Sequence, residues 1–167
     1  MKNFIVLLCM LLPLGAFSQE LKFAYVNASE VFNLMPEVAV AETQYAKVSE
    51  QYSNDYKAIE DEYTVKFQEY MKIQETLTEN LKLRRQQELQ DLQERLNNFV
   101  PFAQQSLEQE RATLYSPIED KLRNAIKAVG EEQGYTYIID NNPQVMYYVG
   151  NAAINATPFV KAKLGIK

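Results

Sequence analysis

The chain has 167 residues, with 22 acidic against 17 basic side chains, a formal net charge of −5, one cysteine and no histidine. That composition excludes histidine-assisted nucleophiles and the usual zinc ligand sets. No glycine-rich phosphate loop is present, so no enzyme, metal or cofactor is expected, and the acidic balance argues against nucleic acid as a general partner.

Residues 1–18 combine Lys2, an apolar run from Phe4 to Leu12 and small residues at Ala16 and Ser18. This is the pattern of a cleavable secretory leader, too short in its apolar part to span a bilayer. Cys9 lies within it, so the mature chain is expected to carry no cysteine. Loss of Lys2 leaves 16 basic against 22 acidic residues, a net charge of −6.

The mature chain opens on Leu21-Lys22-Phe23-Ala24-Tyr25-Val26, whose alternation predicts a strand. Ser29 is placed to cap a short helical turn, and Met35-Pro36 to introduce a long helix. From Gly15 to Gly130 there is no glycine, and residues 37–132 hold only two prolines, Pro101 and Pro117. Apolar residues recur there every three or four positions, from Val38, Ala41, Tyr45 and Val48 through Tyr52, Tyr56, Ile59, Tyr63, Phe67, Tyr70, Ile73 and Leu77 to Leu81. The mean step of about 3.6 residues predicts a nearly straight amphipathic helix.

One helix over all of 37–132 would reach roughly 140 Å, so a hairpin is expected. Its tip is placed near 76–80, where Thr76 and Glu79 have capping-box spacing. The second arm resumes the stripe at Leu89, Leu92, Leu96, Phe99, Ala103 and Leu107, with Glu110 and Arg111 interrupting it before Leu114. Pro101 and Pro117 are expected to bend this arm. Gly130 and Gly134 are expected to close it. Tyr135 to Asp140 and Gln144 to Val149 then read as two strands of a hairpin around Asn141-Asn142-Pro143. Thr157-Pro158 opens a last helix that lays Phe159, Val160 and Leu164 on the strands.

The resulting fold class is α+β. A long, coiled-coil-like helical hairpin (37–132) is inserted into a small β-sheet body (19–36 and 133–167). Three strands bury little apolar surface, so oligomerisation is expected. Asn27-Ala28-Ser29 and Asn155-Ala156-Thr157 match a glycosylation triplet.

At this point the chain resembles the OmpH/Skp family of periplasmic chaperones across nearly its whole mature length. The resemblance rests on Phe23-Ala24-Tyr25-Val26-Asn27, Val31-Phe32, Met35-Pro36-Glu37, Pro117-Ile118-Glu119-Asp120-Lys121-Leu122, Ala125-Ile126 and Gly134-Tyr135-Thr136-Tyr137-Ile138-Ile139-Asp140. It implies a jellyfish-like homotrimer whose three tentacles enclose a cavity. It also implies an ATP-independent holdase for unfolded outer-membrane proteins. On that basis Phe23, Tyr25, Val26, Ile118, Leu122, Tyr137, Ile138 and Ile139 are trimer and body candidates. Along the arms, Tyr45, Tyr56, Phe67, Tyr70, Phe99 and Phe102 are client-binding candidates, amphipathic rings suited to meeting either an apolar segment or water. Lys82, Arg84 and Arg85 form a basic patch beside the tip.

The best-known members are basic, which serves them in holding acidic barrel precursors and engaging lipopolysaccharide. This acidic chain departs from them, which argues against lipopolysaccharide or membrane contact and for a different client preference. The competing reading is a coiled-coil spacer or adaptor of the cell envelope with one folded partner; it requires a regular seam from end to end.

Overall fold

A computed structural model of the chain describes residues 21–144 and 146–166; the expected leader lies outside the described residues. In chain order the elements are β1 (Phe23–Val26), α1 (Ala28–Asn33), α2 (Pro36–Ile73), α3 (Glu79–Gln133), β2 (Tyr137–Asp140), β3 (Ile154–Asn155) and α4 (Thr157–Leu164), with a single 3₁₀ turn, Gln74–Thr76, between the long helices. The α+β class, with a long helical hairpin set into a small sheet, is therefore observed.

Pro36 occupies the first turn of α2, where its missing N–H costs nothing. Both inner prolines lie on the exposed side of α3, which runs past them without terminating. The reversal uses Leu77 and Thr78 in extended conformation. No capping box forms there, because the Thr76 hydroxyl instead donates back to the Ile73 carbonyl at 2.8 Å. Gly130 does not end α3. The helix continues to Gln133, and Gly134, at φ 66°, supplies the left-handed residue that stops it, with its own N–H and that of Tyr135 both donating to the Gly130 carbonyl. At Gly130 a Cβ would meet Ile138 Cδ1 at 3.4 Å, an ordinary contact distance, so space does not require glycine there.

All strand pairings are parallel, in the order β2-β1-β3. The expected second strand at 144–149 is thus a correction: no described residue of that segment is in a strand, and the third strand is Ile154–Asn155. Asn142 closes a turn, its carbonyl accepting from Met146 N–H and its side chain from Gln144 N–H. From there the chain crosses to the far edge of β1. A parallel connection needs about a dozen residues, and residues 141–153 are used up by it. Tyr147 and Tyr148, whose rings had suggested a strand, are instead almost fully solvent-exposed.

The core lies between the inner sheet face and the roots of the helices. Ala24 and Val26 of β1 meet Val31, Met35, Val38 and Ala41 below, Ile118, Leu122, Ala125 and Val129 of α3, and Ala156 and Val160 of α4. Phe32 stacks on Tyr115 with centroids 6.2 Å apart. Of the residues expected to seat α4, Val160 and Leu164 pack inward while Phe159 is exposed. Lys161 bonds Glu30, and Lys163 bonds Glu132, tying α4 to α1 and α3.

Asn27, not Ser29, caps α1, accepting from Glu30 N–H at 3.0 Å. Its own N–H donates to the Thr157 hydroxyl at 3.0 Å, and Thr157 N–H in turn donates to Asn155 Oδ1 at 3.0 Å. Ala28 N–H donates to Asp140 Oδ1 at 3.0 Å. Of the asparagines in the two Asn-x-Ser/Thr triplets, Asn27 caps α1, while Asn155 makes a local turn to the N–H of Thr157 ahead of α4, whose cap position, Ala156, has no side-chain partner.

Thr157 is buried. Replacing Thr157 with Val removes the acceptor for Asn27 N–H while keeping the shape, and is expected to cost about 1–2 kcal/mol of stability, read as a lowered midpoint in urea unfolding followed by circular dichroism.

Candidate functional site: the seam and margins of the helical arms

The two arms run antiparallel, and their stripes meet mid-way in a small core of Ile59, Leu92 and Leu96, flanked by Tyr56, Tyr63 and Phe99. Around it the aromatic rings interlock. Tyr52 sets its edge against both Phe99 and Phe102, with centroids 6.2 Å apart in each case, and Tyr56 tilts against Phe99 at 6.2 Å. Offset and edge-on rings gain about 0.5–1.5 kcal/mol beyond area burial, so this patch is the principal apolar fastening of the arms away from the body.

Polar stitches carry the seam in both directions from it. Toward the tip, Lys66 of α2 bonds Glu88 of α3, with Glu62 3.5 Å away and Arg85 3.0 Å from the second Glu88 oxygen. Further out, Gln86 donates to the Tyr70 hydroxyl at 2.9 Å. Toward the body, Gln44 reaches Glu110 at 3.4 Å, so the polar residue that breaks the stripe is used as a cross-arm contact. At the root Lys121 bonds Glu37. The hydrogen bond from Lys66, seconded by that from Arg85, lowers the Glu88 pKa, and the bond to Glu88 raises that of Lys66. Likewise the Lys121 hydrogen bond lowers Glu37.

The client-binding candidates separate by environment. Tyr70 is buried, Tyr45, Tyr56 and Phe99 are half-buried in the seam, and Phe67 and Phe102 stand on its margin at 43% and 58% exposure. Phe67 lies on Tyr63 in a stacked pair, centroids 6.0 Å apart. Val40, Val65, Met71, Leu83 and Val100 are also exposed and were not singled out from the sequence. A signal existed for Val40, Val65 and Leu83: each is apolar yet out of phase with the 3.6-residue stripe, so it cannot face the other arm.

The basic patch divides as well. Arg85 is engaged by Glu88, Arg84 is exposed and Lys82 is half-buried; Asp91 joins Glu88 in the shallow hollow beside Arg84 and Arg85. The body candidates fall on two sides of the sheet. Val26, Ile118 and Leu122 are buried in the chain's own core and Ile138 packs against it. Phe23, Tyr137 and Ile139 lie on the opposite, outer face, with Tyr25 between them half-buried. Phe23 and Tyr137 stack at 6.2 Å. Tyr137 is 63% and Ile139 50% exposed, a bare apolar face on a three-stranded sheet.

A family model described as outer membrane protein, OmpH-like, matches residues 22–164. The chain belongs to the OmpH-like family. At family level this is a group of periplasmic chaperones, not enzymes, that bind outer-membrane-protein clients. No curated protein matches the chain. Among the described residues no helix is long and apolar enough to cross a membrane.

The ion pairs give the seam a pH signature. Glu88, with its pKa lowered by folding, contributes stability that is present above the ordinary carboxylate range and lost as pH falls through its depressed value. Lys66, raised, contributes stability present below the ordinary lysine range and lost as pH rises through its elevated value. The Glu88→Gln variant is expected to lose the acid-side part of this dependence, so that proteolysis near the tip becomes less sensitive to acid than in the unaltered chain.

Proposed function

We propose that this OmpH-like chain is an ATP-independent holdase of the periplasm, delivered there by its leader, that keeps unfolded outer-membrane proteins soluble between helical arms. Three copies associate through the outer sheet face around Phe23, Tyr137 and Ile139, so that the arms project together from one body and bound a common space.

The observation that carries this reading is the unequal use of the apolar arm residues. A hairpin needs only its seam covered, yet Val65 and Val100 stand outside it, and Phe67 and Phe102 keep much of their rings exposed although each touches a seam tyrosine. Apolar groups that a helix pair does not use for itself mark an interaction surface when they lie together. An unfolded barrel protein offers the complementary chemistry, alternating apolar side chains and unpaired strand edges that aggregate unless covered. Weak, repeated contacts on an amphipathic arm fit that client better than one tight pocket does. An envelope spacer would need a continuous apolar seam, whereas the packed cluster here occupies only the middle of the arms and gives way to polar stitches on either side.

Light scattering from an outer-membrane barrel protein diluted out of urea tests the reading. Suppression by the mature chain at about one assembly per client, without nucleotide and with a second, unrelated barrel protein, is the expected result. A folded, oligomeric chain that leaves both clients to aggregate would overturn it.

Assembly has its own test. Ile139→Asp places a charge on the outer face and leaves the inner core alone, so the variant is expected to retain its helicity and to run as a monomer in multi-angle light scattering. An unchanged oligomer would remove the outer face from the interface.

A further inference from the structure

Between the arms, at the level of Ile59 and Phe99, lies an open groove of about 620 Å³ whose lining includes Asp55, Ala58, Ile59, Arg95, Phe99 and Phe102. Its floor is apolar and aromatic. Its border is not neutral. Helical spacing puts Asp55 and Glu62 on the α2 face that carries Ile59, and Asp91 on the α3 face that carries Arg95, Phe99 and Phe102. Among the described residues Arg95 is the one cation lining the groove, and it lies 3.9 Å from Glu62. Lys66, next toward the tip, is held by Glu62 and Glu88. Over residues 50–66 and 88–98 taken together there are eight carboxylates and three cations, so this band holds most of the net negative charge of the molecule.

We infer that this groove docks extended cationic segments of the unfolded polypeptide, one apolar side chain resting on Phe99 and Phe102 while flanking lysines or arginines meet Asp55, Glu62 and Asp91. The inference rests on the holding function above and names its client chemistry. Two observations favour it over an uncharged or acidic segment. Among the described residues Asp55 lines the groove with no cation bonded to it, and Glu62 and, a turn further toward the tip at the edge of the hollow beside Arg84 and Arg85, Asp91 stand against the single Arg95, a balance that attracts cations and repels carboxylate-rich chain. The exposed Phe102 ring offers a flat surface to an aliphatic stem or, through its face, to a cation.

The experiment compares two forms of one unfolded chain. Reduced, carbamidomethylated lysozyme stays unfolded and basic, and succinylation of its lysines makes the same chain acidic. Binding of each to the mature protein is followed by fluorescence anisotropy at about 20 mM and about 500 mM salt, which shortens the screening length several-fold. The basic form is expected to bind at least about tenfold tighter at low salt, with the difference closing at high salt. The triple variant Asp55→Asn, Glu62→Gln, Asp91→Asn is expected to narrow the low-salt difference several-fold. Phe102→Ser, at a position 58% exposed whose ring edge also meets Tyr52, is expected to weaken the basic form at both salts, with circular dichroism of the variant read alongside to show that the arms remain helical.

Equal affinity for the two forms, or preference for the acidic one, overturns the inference and leaves the holdase standing. Poly-lysine bound as tightly as the basic chain overturns the apolar part, reducing the groove to plain charge. Dissociation of the assembly by Phe102→Ser with polypeptide binding unchanged assigns the groove to a second copy of this chain and likewise overturns it. Neither form bound by the folded oligomer removes the holding function itself.

Discussion

Everything in this molecule depends on β1, a four-residue strand that is hydrogen-bonded along both edges to strands from the other end of the chain. Parallel neighbours cannot be joined by a tight turn, and the connection from β1 to β2 is the whole pair of arms. The hydrogen bonds that seal the body join residues 112 and 130 positions apart. Closing so long a loop from a flexible chain would be entropically costly. Two antiparallel helices remove most of that cost, because the arm that leaves the body at Pro36 is returned to it by Gln133. Body and arms are therefore one cooperative object at the root, where Val38 and Ala41 of the outgoing helix and Ile118, Leu122 and Val129 of the returning one share a core with Ala24 and Val26.

Away from the root the balance changes. The arms are fastened by one aromatic patch and a series of separated polar contacts, most of them partly exposed. Such exposed ion pairs typically contribute only about 0–1 kcal/mol each. An arm built this way is held in register without being stiffly packed, and it keeps apolar side chains in reserve. Local opening with little loss to the body suits a surface that must accommodate clients of different sequence. The outer face of the sheet holds a second reserve of apolar surface, separated from the first by the root core. One molecule thus presents two uncovered apolar regions with different neighbours: aromatic rings and β-branched chains on a flat sheet at one end, and rings edged by carboxylates along the arms.

Much of this was legible in the sequence because long helices announce themselves. The 3.6-residue stripe, Pro36 at the start and Gly134 at the end determine α2 and α3 with little help from tertiary structure. The sheet was harder. Tyr135 to Asp140 and Gln144 to Val149 have nearly equal strand propensity, but only the first finds an edge to pair with, and the two-residue β3 is too short for Ile154 to read as a strand. Strand propensity measures fit to a surface that must already exist. Asn27 outcompeted Ser29 as a cap because its position at the end of β1 also lets its N–H reach Thr157, a contact invisible locally. The eight body candidates divided because β1 has two apolar faces, small residues on one and rings on the other. Alternation alone does not say which face the chain's own helices cover. On the arms, phase was informative but not decisive: the out-of-phase Val65 and Leu83 are exposed, and of the in-phase residues Ile59, Tyr70, Leu92 and Leu96 are packed, whereas Phe67, Ile73 and Leu81 toward the tip are exposed.

On the proposed reading, clients lie along the margin of the arm seam while the body serves assembly. Photo-cross-linking measures this directly, with a photoreactive phenylalanine placed in turn at positions 67, 102, 120 and 137 and an unfolded barrel protein as client. Capture of client is expected from 67 and 102, capture of a second copy of the chain from 137, and neither from the solvent-exposed 120. Client captured mainly at 137, with 67 and 102 silent, would contradict it and move the binding surface to the sheet.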